Sequence, residues 1–450
     1  MTRRLGFLIL LVAAGGGAIW ACTEEVTAPG SCPNYCPSDS IAIRDTILSA
    51  IIERDTSFRG YVPSYGAEAM TAADLPGVID SRAFFTTDTM FRRKAPKVGD
   101  TTTVPIFVDS SRVRFVIVRR PKSTTNLRLH LYRLPATTDT TSTFGSLNPA
   151  FTAAPVDSLN ISDLLALPAL TDTQIVRRWD SAWGVSASDS IRVDTAGNVL
   201  QFNHLDSTIT LYFKLDSLQG TLSDADTGRI AWGVRVAADS LASIGIGTNA
   251  TIANTPVMRW FYHYTIPDTV SATPDSVVYA AATLGTRFHN FVFTPPAAPV
   301  DTNLAVGGVP SARALLRVAM PAFLHDSIDV VRATLILVPV SGVQGVASDS
   351  FKIVAHHIST DLGAKSPLDP TDALIGTVFV HIGSPDTVKL ELTNLVRQFA
   401  LDTTLTTAFV LGQVPEAASY PEVRFYSSRA PAFRPGLHVT YVKRFRFGNP

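Results

Sequence analysis

Alternation of apolar and polar residues constrains this chain more than any other feature. Leu127, Leu129 and Leu131 alternate with Arg128, His130 and Tyr132. Ile209, Leu211, Phe213 and Leu215 alternate with Thr210, Tyr212 and Lys214. The same period of two runs through Val388, Leu390 and Leu392 and through Leu437, Val439 and Tyr441. Successive side chains of a strand point to opposite faces, so this period predicts strands with one buried face. Residues 113–118 and 334–340 are more continuously apolar and suit central strands. Helical spacing is confined to short pieces. One is Ile161 to Leu167, stopped by Pro168 and capped by Asn160 or Ser162. The others are Thr393 to Ala400, and Ile43, Ile47, Ile51 and Ile52 behind Asp39 and Ser40. The expected fold class is all-β, in antiparallel sandwiches.

Acidic residues are distributed to match. The chain has 31 Asp and only seven Glu, and 24 of the Asp are followed directly by Ser or Thr. Such pairs form Asx and ST turns, and Thr then starts strands well. These aspartates read as strand punctuation and not as functional acids. The 38 basic side chains equal the 38 acidic ones, which argues against a nucleic-acid partner, since that needs a basic excess. With 450 residues and 46% hydrophobic content, two or three domains are expected.

The strand pattern is written twice. Asp80–Phe85 resembles Pro310–Leu316, and Asp109–Ile117 resembles Asp326–Leu335. Asp206–Leu211 resembles Asp386–Glu391, and Pro256–Tyr262 resembles Pro421–Tyr426. The shared order predicts tandem sandwiches over residues 56–268 and 269–450, divided near Pro267 to Pro274 where Pro and Asp-Thr/Ser turns cluster. A loop-rich insertion is expected from Thr137 to Ala187.

The N-terminus carries an address. Arg3 and Arg4 precede an apolar run, Leu5 to Ala18, too short to span a bilayer as a mature helix. It ends in Ile19-Trp20-Ala21-Cys22, which resembles the lipobox of bacterial lipoproteins. The resemblance implies a signal peptide over residues 1–21, cleavage before Cys22 and diacylglycerol on its thiol, so that the membrane is a partner through the lipid. An ordinary secretory signal cleaved nearby is the alternative. Thr23, not Asp, follows the cysteine, so the usual inner-membrane retention signal is absent and an outer-membrane address is expected. Residues 22–55 read as a Pro-containing tether with a possible short helix. Cys32 and Cys36 lie within it and are expected to form a local disulfide in an oxidising compartment. No nearby His or second Cys pair completes a metal site, and no cofactor is expected.

The second copy shows a family resemblance. It runs through Val388-Lys389-Leu390-Glu391-Leu392-Thr393, Val423-Arg424-Phe425-Tyr426-Ser427 and Leu437-His438-Val439-Thr440-Tyr441. This is similar to the DNRLRE-type domain of secreted bacterial proteins, itself similar to carbohydrate-binding modules. The resemblance implies a jelly-roll sandwich and adhesion or polysaccharide binding.

Linear catalytic signatures are missing: there is no His-Glu-x-x-His, Gly-x-Ser-x-Gly or phosphate-binding loop. His356 and His357 are neighbours on a predicted strand and should face opposite ways. Asp224–Gly228 opens like a calcium loop without its later acids. Trp179, Trp183, Trp232 and Trp260 are candidate sugar platforms; Trp179 and Trp183 are the best placed, and Trp232 sits on a strand that favours the core. Three functions stand: a non-catalytic lipid-anchored envelope protein for adhesion or scaffolding, a glycan-binding module of a polysaccharide-utilisation system, and a secreted sandwich hydrolase or lyase.

Overall fold

The computed structural model describes residues 42–60, 64–76, 79–96, 101–121, 124–170, 189–223, 226, 228–266, 276–294, 298–343, 350–369, 376–417 and 420–444. The chain opens with an arch, two consecutive strands that join different sheets and do not pair with each other, β1 (Ile43–Leu48) and β2 (Ile52–Arg59). Next come β3 (Ala69–Leu75), β4 (Ile79–Thr87), β5 (Arg93–Lys94), β6 (Val104–Arg119), β7 (Arg128–Leu134), α1 (Phe144–Thr152), β8 (Asp157–Asn160) and α2 (Ile161–Ala166). Six strands follow, β9 (Asp189–Val193), β10 (Val199–Asn203), β11 (Ile209–Leu215), β12 (Ala231–Ala237), β13 (Ala242–Gly247) and β14 (Val257–Ile266). A second arch of the same kind is β15 (Ser276–Leu284) and β16 (Thr286–Phe293). The remainder is β17 (Asn303–Gly307), β18 (Ala312–Val318), α3 (Ala322–Asp326), β19 (Ile328–Leu337), β20 (Ser350–His357), β21 (Gly376–His381), β22 (Val388–Glu391), α4 (Thr393–Leu401), β23 (Ala408–Val414), β24 (Glu422–Tyr426) and β25 (Gly436–Lys443). Every strand pairing is antiparallel. The all-β sandwich class read from alternation is the class observed.

There are two sandwiches on one plan. In the first, one half runs β15-β14-β6-β11 and the other β8-β7-β12-β4-β3-β13, with β16 beside β4. In the second, one sheet runs β1-β25-β19-β22 and the other β21-β20-β23-β18-β17-β24, with β2 beside β18. Each strand of the second list has a counterpart in the first. Even the join between halves repeats: β13 meets β6, and Pro339, just past β19, bridges Phe425 of β24. The inward residues of each sandwich form one core. Phe85, Phe115, Phe213, Trp232 and Trp260 fill the first, and Leu316, Leu335, Leu390, Phe409 and Phe425 fill the second.

Three of the four sequence matches join equivalent strands: β4 with β18, β6 with β19, β11 with β22. The fourth does not. Pro256–Tyr262 lies in β14, whose counterpart is β25, whereas Pro421–Tyr426 lies in β24, the counterpart of β13. Both carry an apolar–Arg–aromatic pattern, which reports strand character and not position.

The arches correct the expected boundaries. Residues 43–55, expected as the end of a tether with a short helix, and 56–59, expected to open the first sandwich, form two strands. They pair with β25 and β18, in the second sandwich. The isoleucines fit helical spacing, but Ile43 and Ile47 are exposed, and it is pairing with β25 that makes β1 a strand. Residues 276–293, expected in the second sandwich, instead pair with β14 and β4 of the first. The division therefore falls near residues 294–302, and the second sandwich is discontinuous in sequence. The two sandwiches touch where Tyr420 Oη donates to the Thr71 carbonyl at 3.1 Å and its ring meets Phe291 edge-on. Val309 and Ala417 join the first core at this seam.

Aspartates behave as turn residues. The carboxylates of Asp139, Asp206 and Asp402 each accept from both the amide and the hydroxyl of the Thr two residues on. These bonds hold the Asp139 and Asp402 carboxyls below the usual carboxylate range.

Candidate functional site

The outward face of the β7-β12-β4 half is covered in the first sandwich. Within the expected insertion, Thr143 caps α1 by accepting from the Ser146 amide, and Phe144, Leu147 and Phe151 share one side. That side lands on Phe84, Tyr132 and Leu134. Gly233 makes the approach possible, because a Cβ there would meet the Phe151 ring at 2.5 Å. Arg82 is enclosed. It donates to Asp80 and Asn148 at 2.8 Å each, and its guanidinium lies 4.3 Å from the Phe144 ring centre.

Among the described residues no such helix lies on the equivalent face of the second sandwich, where Ile358 and Leu368 cover Leu315, Ala408 and Val410. Arg313 takes the place of Arg82 and pairs with Glu416 through both carboxylate oxygens, at 2.5 and 2.8 Å. Beside them lies a cavity of about 200 Å³, lined by Arg313, His356, Gly412, Gln413, Val414 and Glu416 among others. Phe379 stands on the same face, 63% exposed. It faces Lys352, which faces Val414 at the cavity edge, so two strand spacings, about 10 Å, separate ring from cavity.

A second surface lies on the outward face of the β15-β14-β6 half. Tyr279, His263 and Phe107 are in cross-strand register on three adjacent strands. Ring centres are 5.6 Å apart from Tyr279 to His263 and 5.4 Å from His263 to Phe107, the latter pair stacked. Tyr279 is 76% exposed and Phe107 52%. Asp109 accepts from Nδ1 of His263 at 2.7 Å and fixes the ring's orientation. The result is a row of three rings, Phe107 and His263 near parallel and Tyr279 inclined by 47° to His263, with a carboxylate at its edge.

The residues singled out in the sequence fall elsewhere. Cys22, Cys32, Cys36, Trp179 and Trp183 lie outside the described residues. Trp260, a candidate platform, is a core side chain, and Trp232 is core as expected. His357 is buried, between Asp369 and the Thr406 carbonyl, while His356 faces the cavity. Asp226 of the calcium-like segment is taken by Arg133 and the Ser223 amide. Among the described residues, no three His, Cys, Asp or Glu side chains converge on a metal site. No helix among them is long and apolar enough to cross a membrane. Phe107, Tyr279 and Phe379 were invisible to sequence reasoning because each sits in an apolar run, where alternation gives no outward side.

No protein-family model matches the chain, and no curated protein matches it.

Proposed function

We propose that this is a non-catalytic envelope protein, held at the bacterial outer membrane by lipid on Cys22, whose sandwiches attach it to extended saccharide. The single observation that carries the saccharide reading is the exposed row Phe107–His263–Tyr279. Sugar rings present apolar faces, and flat exposed aromatics with polar groups beside them are suited to stack on those faces and to fix their hydroxyls. The cavity beside Arg313 and Glu416, with Phe379 near it, offers the same chemistry on the second sandwich. Two weak sites on one chain gain avidity from their linkage. Adhesion or scaffolding follows from such attachment without any turnover. The Asp109–His263 pair has no hydroxyl or thiol bonded to the other ring nitrogen among the described residues, which favours a positioning role over nucleophilic catalysis.

The test is a polysaccharide and glycan-array screen of soluble protein, with Phe107→Ala/Tyr279→Ala as the comparison. Binding that falls at least tenfold in the double variant, with an unchanged melting curve, supports the reading. Equal binding by both proteins, or reproducible hydrolysis by the parent, overturns it.

A further inference from the structure

The two arches occupy equivalent places but are reached differently. β15–β16 directly follows the strands it completes. β1–β2 reaches the second sandwich from the far side of the first. In chain order the described residues read arch, body, arch, body. The first body is closed by the arch that follows it, and among the described residues the second is closed by the arch that precedes the first body.

β1 is shallowly held. No β1 residue is buried, and Ile43 and Ile47 are 65% and 62% exposed. In β2 Ile52 and Asp55 are buried, and Ile51 in the turn joins Ile52 in the second core. By contrast β15–β16 sinks Leu284, Phe291 and Val292 into apolar surroundings. β1 is held mainly by main-chain pairing with β25, the kind of contact that any copy with the same edge reproduces.

Its seat is nevertheless specific. The Asp55 carboxylate, 1% exposed, accepts from the Ser428 amide at 2.6 Å. Arg429 lies 3.7 Å from its other oxygen and donates to the Asp55 carbonyl at 3.0 Å. Ser57 Oγ accepts from the Ala305 amide at 2.7 Å. Asp55 faces Leu316, and its counterpart in β16 is His289, which faces Phe85. The counterpart of Ser57 is Phe291. The second arch would bring a phenyl ring and an imidazole where the seat is built for a hydroxyl and a carboxylate. The seat fits β1–β2 and not β15–β16.

We propose that this arch exchanges between copies, so that the second sandwich of one chain is closed by β1–β2 of another. The partner is a second copy of this chain, and the surface is made of β25 in one sheet and β18 in the other, with the Ser428–Arg429 loop. Returned within one chain, the arch gives a monomer; passed on, it gives dimers or head-to-tail assemblies from the same contacts. The inference rests on the strand plan alone and stands whether or not saccharide binds.

The experiment uses the full chain with Cys22→Ser. One copy carries Asp45→Cys and the other Thr440→Cys, positions that face each other across β1 and β25 with their side chains 2.5 Å apart. The two are co-expressed, oxidised and digested, and the peptide joining residue 45 to residue 440 is sought by mass spectrometry. The expected result is that peptide within a covalent species of two chain masses, and its absence when either copy is oxidised alone. A chain carrying both cysteines serves as the control. If the control closes within itself and the mixture yields no such peptide, exchange does not occur. Light scattering of the parent chain decides independently: dimers or larger species, growing with concentration, support the proposal, and one chain mass at every concentration overturns it.

Discussion

On the first sandwich the Arg82 guanidinium is enclosed beneath the rings of α1; on the second its counterpart Arg313 stands beside a cavity of about 200 Å³. The strand beneath is the same, Arg-Ala-Phe-Phe in one and Arg-Ala-Leu-Leu in the other. What differs is the chain that follows β7 in one body and its counterpart β20 in the other. In the first it supplies a capped helix with three apolar residues on one side. In the second the described residues form a single short turn of helix, Gly363–Lys365, with Ile358 and Leu368 packed over Leu315 and Val410, and Gly412 leaves room in the cavity where Arg235 occupies the same place in β12. A duplicated plan thus carries one face sealed by a helix and one that keeps a cavity, and the loops decide which.

The largest effect should come from the closing arches. Deleting residues 42–60 removes one partner strand from each of β25 and β18. Amide exchange should show protection lost across β18 and β25 and kept across β4 and β14. Retained protection in β18 would mean that the second sandwich does not need the arch. For the same reason residues 270–450 expressed alone should fail to fold, although the sequence repeat marks them as a unit.

Opening the sealed face comes next. Phe151 is 1% exposed, packed on Tyr132 and Gly233. Phe151→Ala should destabilise the first sandwich by about 3–5 kcal/mol, the usual range for a buried phenyl ring. Chemical denaturation followed by Trp232 and Trp260 fluorescence reads this directly. A loss below about 1 kcal/mol would make α1 an ornament and not a plug.

Acid should separate the sandwiches more gently. Burial lowers the pKa of His289, and burial with Arg128 and Arg235 nearby lowers that of His130, both in the first sandwich. A folded-state value below the unfolded one, about 6.5, means that the native state binds fewer protons. The stability contribution is present above that pH and is lost as pH falls below it, by at most about 1.4 kcal/mol per pH unit for each group. Melting curves from pH 7.5 to 5 should show the first sandwich weakening, and His289→Asn should flatten the slope. An unchanged slope would place the titration elsewhere.

The smallest effect is expected at the open face. The Arg313–Glu416 pair is partly exposed, so Glu416→Gln should change stability by about 1 kcal/mol or less. If that face binds saccharide, the same variant should weaken binding several-fold, measured by calorimetry with the best array hit. A stability loss well above that figure would instead make the pair a structural brace.

Sequence carried the sheets far better than it carried their assembly. Alternation exposed β7, β11, β22 and β25 because each has one wet face. Asn160 announced α2 by its capping side chain, which accepts from the Asp163 amide at 3.1 Å. α1 went unread because its cap partner is Ser146, not an acid or amide, and because Pro149 lies inside it. The placing of the arches was beyond reach: alternation says that a segment is a strand, and nothing local says which of two similar edges it joins. The aromatic row failed for a related reason, since Phe107 lies between Ile106 and Val108, and both neighbours face the core.

The position of β1 also sets an order of events in folding. Asp45 and Thr440, 395 residues apart, must meet for the second sandwich to close. The earliest described strand therefore waits for the latest. The first sandwich can close once residue 293 is in place, while β1 and β2 stay unpaired beside it until β18 and β25 are formed. Contacts of such separation form slowly, and an unpaired strand edge is open to wrong partners meanwhile. A chain built this way should depend on chaperones to shield β1 and β2 until β25 arrives.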